Sequence, residues 1–563
     1  MPKNKESDSL IELTLQITNL GEKIHKLKRS SFTATHALID EIANLCSNNN
    51  EASQKIAILE IVKKIKNKIE SFDLQEDDEK ILMLYLEAMA VLAEHFPYTQ
   101  KQVAQAYFEY AIKVKETIKI NNSFSFSTYQ VYQKILIALN IAKQLTDDSN
   151  LHSKIAESIE QLFQQLKKEL ALEVQGIDPA IITTKINAIR TRFHTGLSIE
   201  NFSGKQKKFC RELSLYFKEI VFNCFKEMST DIKYVLVSLG SLSKQTILPY
   251  SDLEFVLLLD QNHPDYMQIK TKLAYLLDFL IRSLGETESK GEIPFTIKPG
   301  LRIDTAVNLF NLDFSNMTNM ISSLKTASTQ AARGDISNIQ IVMDFYTSTF
   351  LDGDHTLFDT FQAQLNEKVY NNLLDIALSH FRFNFSKSFK EVHSTIKTKY
   401  YNNLVWLLYG LGMCHQIKAE GLNDLIKQLQ KHGVIASKAA QDINSYLNLI
   451  NFWRAKTQQV NGGQLEYLDS VLPPKSILTF YEKKIKPLIG SLTKAIKKIE
   501  LQGTSLHLKS FRINEECKFV SKKSGSLSQS MRFLTSPISG RSKPNAEEAV
   551  TNNDKNSPSS NRR

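Results

Sequence analysis

Residues 234 to 259 constrain the fold of this chain more than any other stretch. Tyr234-Val235-Leu236-Val237-Ser238-Leu239 is apolar and partly β-branched, and Phe255-Val256-Leu257-Leu258-Leu259 repeats that character. Both read as buried strands, separated by a small-residue turn at Gly240-Ser241 and the acidic segment Pro249-Tyr250-Ser251-Asp252-Leu253-Glu254. Residues two apart in a strand share a face, so Asp252 and Glu254 present two carboxylates to one point at the start of the second strand.

Those residue types suit nucleotidyl transfer. A Gly-Ser turn lets backbone N–H groups and a hydroxyl approach phosphates, with Gly240 permitting the bend and Ser241 donating. Hard carboxylate oxygens suit Mg²⁺ (or Mn²⁺), which neutralises a triphosphate as pyrophosphate leaves. Lys244 adds positive charge nearby, and Ser251 joins the nucleotide-facing set. A third carboxylate is expected on a neighbouring strand, and the candidate is Asp304 in Gly300-Leu301-Arg302-Ile303-Asp304. Between them, Ile269, Leu273, Leu276, Leu277, Leu280, Ile281 and Leu284 recur at helical spacing over Tyr266 to Leu284, so a strand, helix, strand order returns Asp304 to the side of Asp252.

The Gly-Ser turn, Pro-Tyr-Ser-Asp-Leu-Glu and Gly-Leu-Arg-Ile-Asp resemble the N-terminal nucleotidyltransferase domain of bacterial PII-protein uridylyltransferases and their relatives in the polymerase-beta-like superfamily. Phe350-Leu351-Asp352-Gly353-Asp354-His355-Thr356-Leu357-Phe358 is similar to the segment that follows that core. Lys397-Thr398-Lys399-Tyr400 and the run from Ile443 ending in Asn451-Phe452-Trp453-Arg454 are similar to the appended helical domain. The resemblance spans roughly residues 200 to 470. It implies that Asp252, Glu254 and Asp304 are metal ligands and catalytic carboxylates, and that Gly240 and Ser241 face phosphate. It also implies an NTP substrate, ATP or UTP, and a protein acceptor that is uridylylated or adenylylated. Lys397, Lys399 and Arg454 would reach phosphates from the helical side. The chain departs from the family pattern at Ser243, Lys244 and Thr246 in the turn, and in having Asp-x-Glu for Asp-x-Asp. Lysine keeps the charge of the usual arginine but loses its bidentate fork. No later His-Asp pair suggests the reverse, phosphohydrolase half of those enzymes.

The expected fold class is α+β: a small mixed-sheet nucleotidyltransferase core over 200–340, flanked by a helical N-terminal domain over 1–195 and a helical domain over 355–500 that covers the nucleotide cleft. In the first zone, Leu82 to Leu92 carries apolar residues three and four apart, and Val103 to Ile118 pairs with Tyr129 to Leu145 as antiparallel helices; no fixed repeat period emerges, so a bundle is expected. Helices are also expected over Tyr401 to Ile417 and Asp442 to Lys456. The composition of 520–563 shifts to Ser, Asn, Lys and Pro, which predicts a disordered tail.

Asp352-Gly353-Asp354-His355 reads as a turn, not a metal cluster, and His415 as a packed helix residue. Cys46, Cys210, Cys224, Cys414 and Cys517 lack metal or disulfide spacing and predict reduced thiols. No apolar run approaches a membrane span, so a soluble cytoplasmic protein is expected. The polar, Asn- and Lys-rich composition also suits export by an intracellular bacterium into a host cell. The net charge of +10 allows an anionic partner, but the lysines around Tyr481 to Ile499 read as the solvated face of an amphipathic helix, and nucleic acid is not the favoured partner. Two other functions are kept open. One is a catalytically weakened scaffold that binds a protein partner through the N-terminal helices; the other is an RNA or small-molecule nucleotidyltransferase.

Overall fold

In the computed structural model, residue 93 and most of 97–521 are described; residues 1–92, 285–302, 305–316, 387–394 and 522–563, with shorter stretches that include Asp252, lie outside the described residues. The expectations for Leu82 to Leu92, Cys46 and the tail therefore fall outside them. By internal packing the chain divides into Met1–Val520 and Ser521–Arg563, and the first unit holds the sheet and the helices that pack on it.

The architecture is α+β, with many helices around one small sheet. Strand β1 (Tyr234–Ser238) pairs antiparallel with β2 (Leu253–Leu259), in register from Tyr234 opposite Leu259 to Ser238 opposite Phe255. Strand β3 (Ile303–Asp304) lies parallel to β2 on its other side, with Leu253 opposite Ile303 and Glu254 opposite Asp304. Strand β4 (Thr349–Gly353) completes the order β3-β2-β1-β4, so the sheet extends past residue 340. It runs antiparallel to β1, with a bulge between Leu236 and Val237.

The strands read as unbroken apolar runs because both faces are covered. Leu236, Leu253, Phe255 and Leu259 bury into one core with the helices α1 (Gln100–Glu116), α2 (Phe126–Gln144), α3 (Ser149–Glu169), α4 (Pro179–His194) and α5 (Phe202–Glu227), and with α7 (Tyr266–Arg282), which packs against β3. A four-residue helix, α6 (Gly240–Ser243), follows β1. Val235, Val237, Val256 and Leu258, one residue out of phase, bury into a second core. That core holds α8 (Met317–Ala332), α9 (Ile336–Tyr346), α10 (His355–Lys368), α11 (Leu373–Ser386), α12 (Asn402–Cys414), α13 (Leu422–Lys431) and α14 (Ser437–Asn461). The sheet is thus the floor shared by the two helical halves.

Local chemistry sets the helix ends. Asp148 accepts from the N–H groups of Asn150 and Leu151 at the start of α3, and Asp178 caps α4 ahead of Pro179 at its first position. Asp354 likewise accepts from Leu357 N–H and starts α10, so Asp352-Gly353-Asp354 is a strand end followed by a cap. Gly353 has φ +103°, and a Cβ there would lie 2.1 Å from the carbonyl oxygen of Tyr234.

The helix expected over Tyr401 to Ile417 begins after a π-helical turn, Lys397–Tyr401, and stops at Cys414, with His415 capping it. The helix expected over Asp442 to Lys456 is longer, Ser437–Asn461. After α15 (Lys475–Phe480), the lysine-rich segment forms a second π-helical turn, Tyr481–Ile485, and α16 (Lys486–Gln502). It buries Ile485, Leu488, Leu492 and Ile496 and leaves Lys483 and Lys486 in solvent, as an amphipathic helix should. Cys210, Cys224, Cys414 and Cys517 are free, buried thiols. Among the described residues no helix is long and apolar enough to cross a membrane.

Candidate active site at the turn between the first two strands

The turn after β1 is stitched to β2. Leu239 N–H donates to the carbonyl oxygen of Glu254 (2.9 Å), which places the Gly-Ser turn directly over the start of the second strand. Gly240 takes φ +52°, and a Cβ on it would fall 1.1 Å from Glu254 Oε2. The carboxylate therefore lies in the space that the missing side chain leaves open. Ser241 N–H donates to the same Oε2 at 3.2 Å. The turn is closed from within by Ser243, whose hydroxyl donates to Gly240 O (3.0 Å).

Strand pairing brings the third predicted carboxylate alongside. Asp304 is the register partner of Glu254 across the parallel β2–β3 pair, so their main chains are about 4.8 Å apart, as neighbouring strands are. Asp252 lies outside the described residues. The fit to a divalent cation rests on what is visible: a half-buried carboxylate seated in a glycine cradle, with a second acidic residue at the adjacent register position. Oxygen donors of this kind suit Mg²⁺ or Mn²⁺. Among the described residues no group of three ligating side chains stands together, and Glu254 is the only predicted ligand whose side chain is described.

Lys244 is held at both ends. Its carbonyl accepts from Leu422 N–H (3.0 Å), and its ammonium is 3.0 Å from Asp344 Oδ1 on α9. Nζ also stands 5.5 Å from the Tyr409 ring centre. Burial pushes the ammonium toward losing its proton, but Asp344 and then Glu254 outweigh that and hold it above the ordinary lysine range. Lys244 is thus a half-buried cation between a carboxylate of the helical half and one of the sheet.

The segment leading to Asp252 is clamped from both helical halves. Buried Arg190 of α4 donates Nε–H to Pro249 O (2.8 Å), and its guanidinium lies 4.5 Å from the Tyr250 ring centre. From α14, Gln458 Oε1 accepts from Tyr250 N–H (3.4 Å). Ser251, expected to face nucleotide, is buried and closes the turn itself: its hydroxyl accepts from Leu248 N–H (3.0 Å), and its own N–H donates to Leu248 O (2.9 Å).

The cations expected to reach phosphates from the helical side have different fates. Lys397 is exposed on the π-helical turn, and Lys399 packs its ammonium 5.2 Å from the Tyr400 ring centre. Arg454 instead closes a bidentate pair with Glu466, at 2.8 Å (Nε) and 3.0 Å (Nη2), and donates Nη1–H to Asn451 at 3.0 Å. Both side chains are buried, and Gln458 Nε2 donates to Glu466 Oε1 (2.9 Å). Burial alone would lower the basicity of Arg454, but Glu466 reverses that.

Reading residue types along the chain missed Asp344, Glu466, Arg190 and Gln458. Asp344 has a local signal, because it is a single carboxylate within the apolar run Ile341-Val342-Met343-Asp344-Phe345-Tyr346 and needs a partner to be buried there. Glu466 has none, since it sits in a connecting segment. Compared with known proteins, the chain matches no family model, and no curated protein is significantly similar to it.

Proposed function

We propose that the chain is a Mg²⁺-dependent (or Mn²⁺-dependent) nucleotidyltransferase that moves a nucleoside monophosphate from an NTP, ATP or UTP, to an acceptor hydroxyl. The observation that carries this is the seat of Glu254. Its carboxylate fills the cradle above Gly240, takes the Ser241 N–H, and stands in register with Asp304. In this reading Asp252, Glu254 and Asp304 hold the cation. The cation neutralises the triphosphate as pyrophosphate departs, and Asp304 helps to take the proton of the attacking hydroxyl. Lys244 supplies a fixed positive charge beside the phosphates. The resemblance to protein uridylyltransferases favours a protein acceptor, hence uridylylation or adenylylation. Buried free thiols suit a reducing compartment, the cytoplasm of the producing cell or of a host. The test is incubation of the full chain with each labelled NTP and Mg²⁺ in a cell lysate. Label on a protein band supports the reading, label on RNA moves it to an RNA acceptor, and no label from any NTP refutes transfer.

A second reading has its own support. Two cations that a phosphate-binding site would use, Lys244 and Arg454, are matched internally by Asp344 and Glu466. A core whose cations are so engaged suits a scaffold that binds a protein partner through the N-terminal helices. Mg-NTP that fails to raise the melting temperature of the full chain would put this reading first.

A further inference from the structure

We propose that Asp344 is a positioning residue of the cation site: it holds the Lys244 ammonium on the helical side and so keeps it from closing an ion pair over Glu254. The inference rests on the reading of Glu254 as a cation ligand and adds a residue that neither the motif nor the register identifies. Four observations carry it. The Lys244 main chain is fixed, with its N–H on Gly240 O (3.2 Å) and its carbonyl on Leu422 N–H (3.0 Å), so its side chain always starts from the turn that cradles Glu254. The ammonium is 3.0 Å from Asp344 Oδ1, in a pair whose side chains are 16% and 11% exposed, so solvent does little to screen it. Asp344 is itself fixed, because its other oxygen accepts from Gln340 Nε2 at 2.8 Å, one turn back on α9. Finally, Glu254 is near enough to strengthen the hold on the Lys244 charge.

A partly buried ammonium requires a counter-charge. The Asp344 carboxylate supplies that counter-charge on the side away from the sheet. Where an amide replaces it, as in Asp344→Asn, Glu254 becomes the counter-charge, and a divalent cation has to displace lysine from it. Asp344 therefore acts on cation affinity through Lys244, and its effect depends on lysine being present. A role confined to packing would not show that dependence.

The test is Mn²⁺ titration of the full chain without nucleotide, with free Mn²⁺ followed by electron paramagnetic resonance and folding checked by thermal melting. Asp344→Asn should weaken Mn²⁺ binding about tenfold, the scale of one unit charge interaction at this depth. Lys244→Met should bind at least as tightly as wild type. The double variant should regain wild-type affinity, because the competing ammonium is gone. Unchanged affinity in Asp344→Asn, or a double variant as weak as the single one, overturns the proposal while leaving the cation site standing. If Asp344→Asn does not fold, Lys244→Met decides, since binding weaker than wild type overturns the proposal. A wild-type chain with no Mn²⁺ affinity overturns both this inference and the cation reading beneath it.

Discussion

The carboxylate of Glu254 occupies the volume that any side chain at position 240 would need, with Oε2 1.1 Å from where a Cβ on Gly240 would stand. Gly240 also has φ +52°, a conformation that an L side chain adopts only with strain. Gly240→Ala therefore has to move Glu254 or the turn. The expected cost is about 1–3 kcal/mol of stability, with loss of any Mg-NTP stabilisation. Urea unfolding with and without Mg-NTP measures both, and an alanine variant as stable as wild type would show that the cradle is not a constraint.

How much of the fold and the site is legible in the sequence depends on the range of the interaction. The strands are legible because β1 and β2 are apolar on both faces, and the glycine turn because its residue types belong to a tight bend. The helix Tyr266–Arg282 is legible from its 3.6-residue period. The fates of the cations are not. Lys244 meets Asp344 across 100 positions of chain, and nothing local at Lys244 distinguishes a lysine reaching for phosphate from one already neutralised. Arg454 shows the same limit, since its neighbours Phe452 and Trp453 in a mixed polar and apolar helix give no sign of the connecting-segment glutamate that makes its burial tolerable. The pair Gln100–Glu116 and Phe126–Gln144 is legible from its apolar spacing, whereas the three helices that follow it, and the packing of all five on a sheet face encoded far along the chain, are not.

Arg454 and Glu466 supply the second prediction. Removing one partner of a buried bidentate pair leaves the other charged and unmatched, so Arg454→Ala should cost about 3–5 kcal/mol. Arg454→Lys should restore only part of this, because lysine cannot occupy both carboxylate oxygens and reach Asn451 together. Exchanging both partners, Arg454→Met with Glu466→Leu, should cost far less than Arg454→Ala. Denaturant midpoints of the three variants rank them, and equal midpoints for the alanine and lysine variants would refute the bidentate argument.

His380 predicts a pH dependence. It is buried, with Nε2 3.0 Å from Trp406 O, and burial, helped by the Lys244 charge, lowers its pKa to about 4. In the unfolded chain the group takes its ordinary value near 6.5. Between those values the unfolded state binds the proton and the folded state does not. The contribution of His380 is therefore complete above about pH 6.5 and is lost as pH falls toward 4, by about 3 kcal/mol at most. His415, lowered to about 4 chiefly by burial, acts in the same direction. Urea unfolding from pH 4 to 7 should give a steeper loss on acidification for wild type than for His380→Gln, and parallel profiles would contradict the assignment.

The last prediction separates the chemistry of Glu254 from its place in the fold. Glu254 accepts a hydrogen bond from Ser241 N–H and adds to the hold on Lys244, so Glu254→Ala removes structural contacts along with the proposed cation ligand, and its effects on activity would be ambiguous. Glu254→Gln keeps an amide oxygen of the same reach for Ser241 N–H but cannot offer a charged oxygen to a divalent cation. Without metal, its stability should stay within about 1 kcal/mol of wild type, the scale of one hydrogen bond. With Mg-NTP at roughly 100 times its dissociation constant, wild type should gain about 2.7 kcal/mol, whereas Glu254→Gln should gain little, because a ligand stabilises only as far as it binds the native state. Asp252→Asn should behave in the same way if it shares the cation. Thermal melts of the three proteins, with and without Mg²⁺ and each NTP, supply the comparison. Equal ligand-induced shifts in all three would mean that nucleotide binds without these carboxylates, and the scaffold reading would then displace transfer.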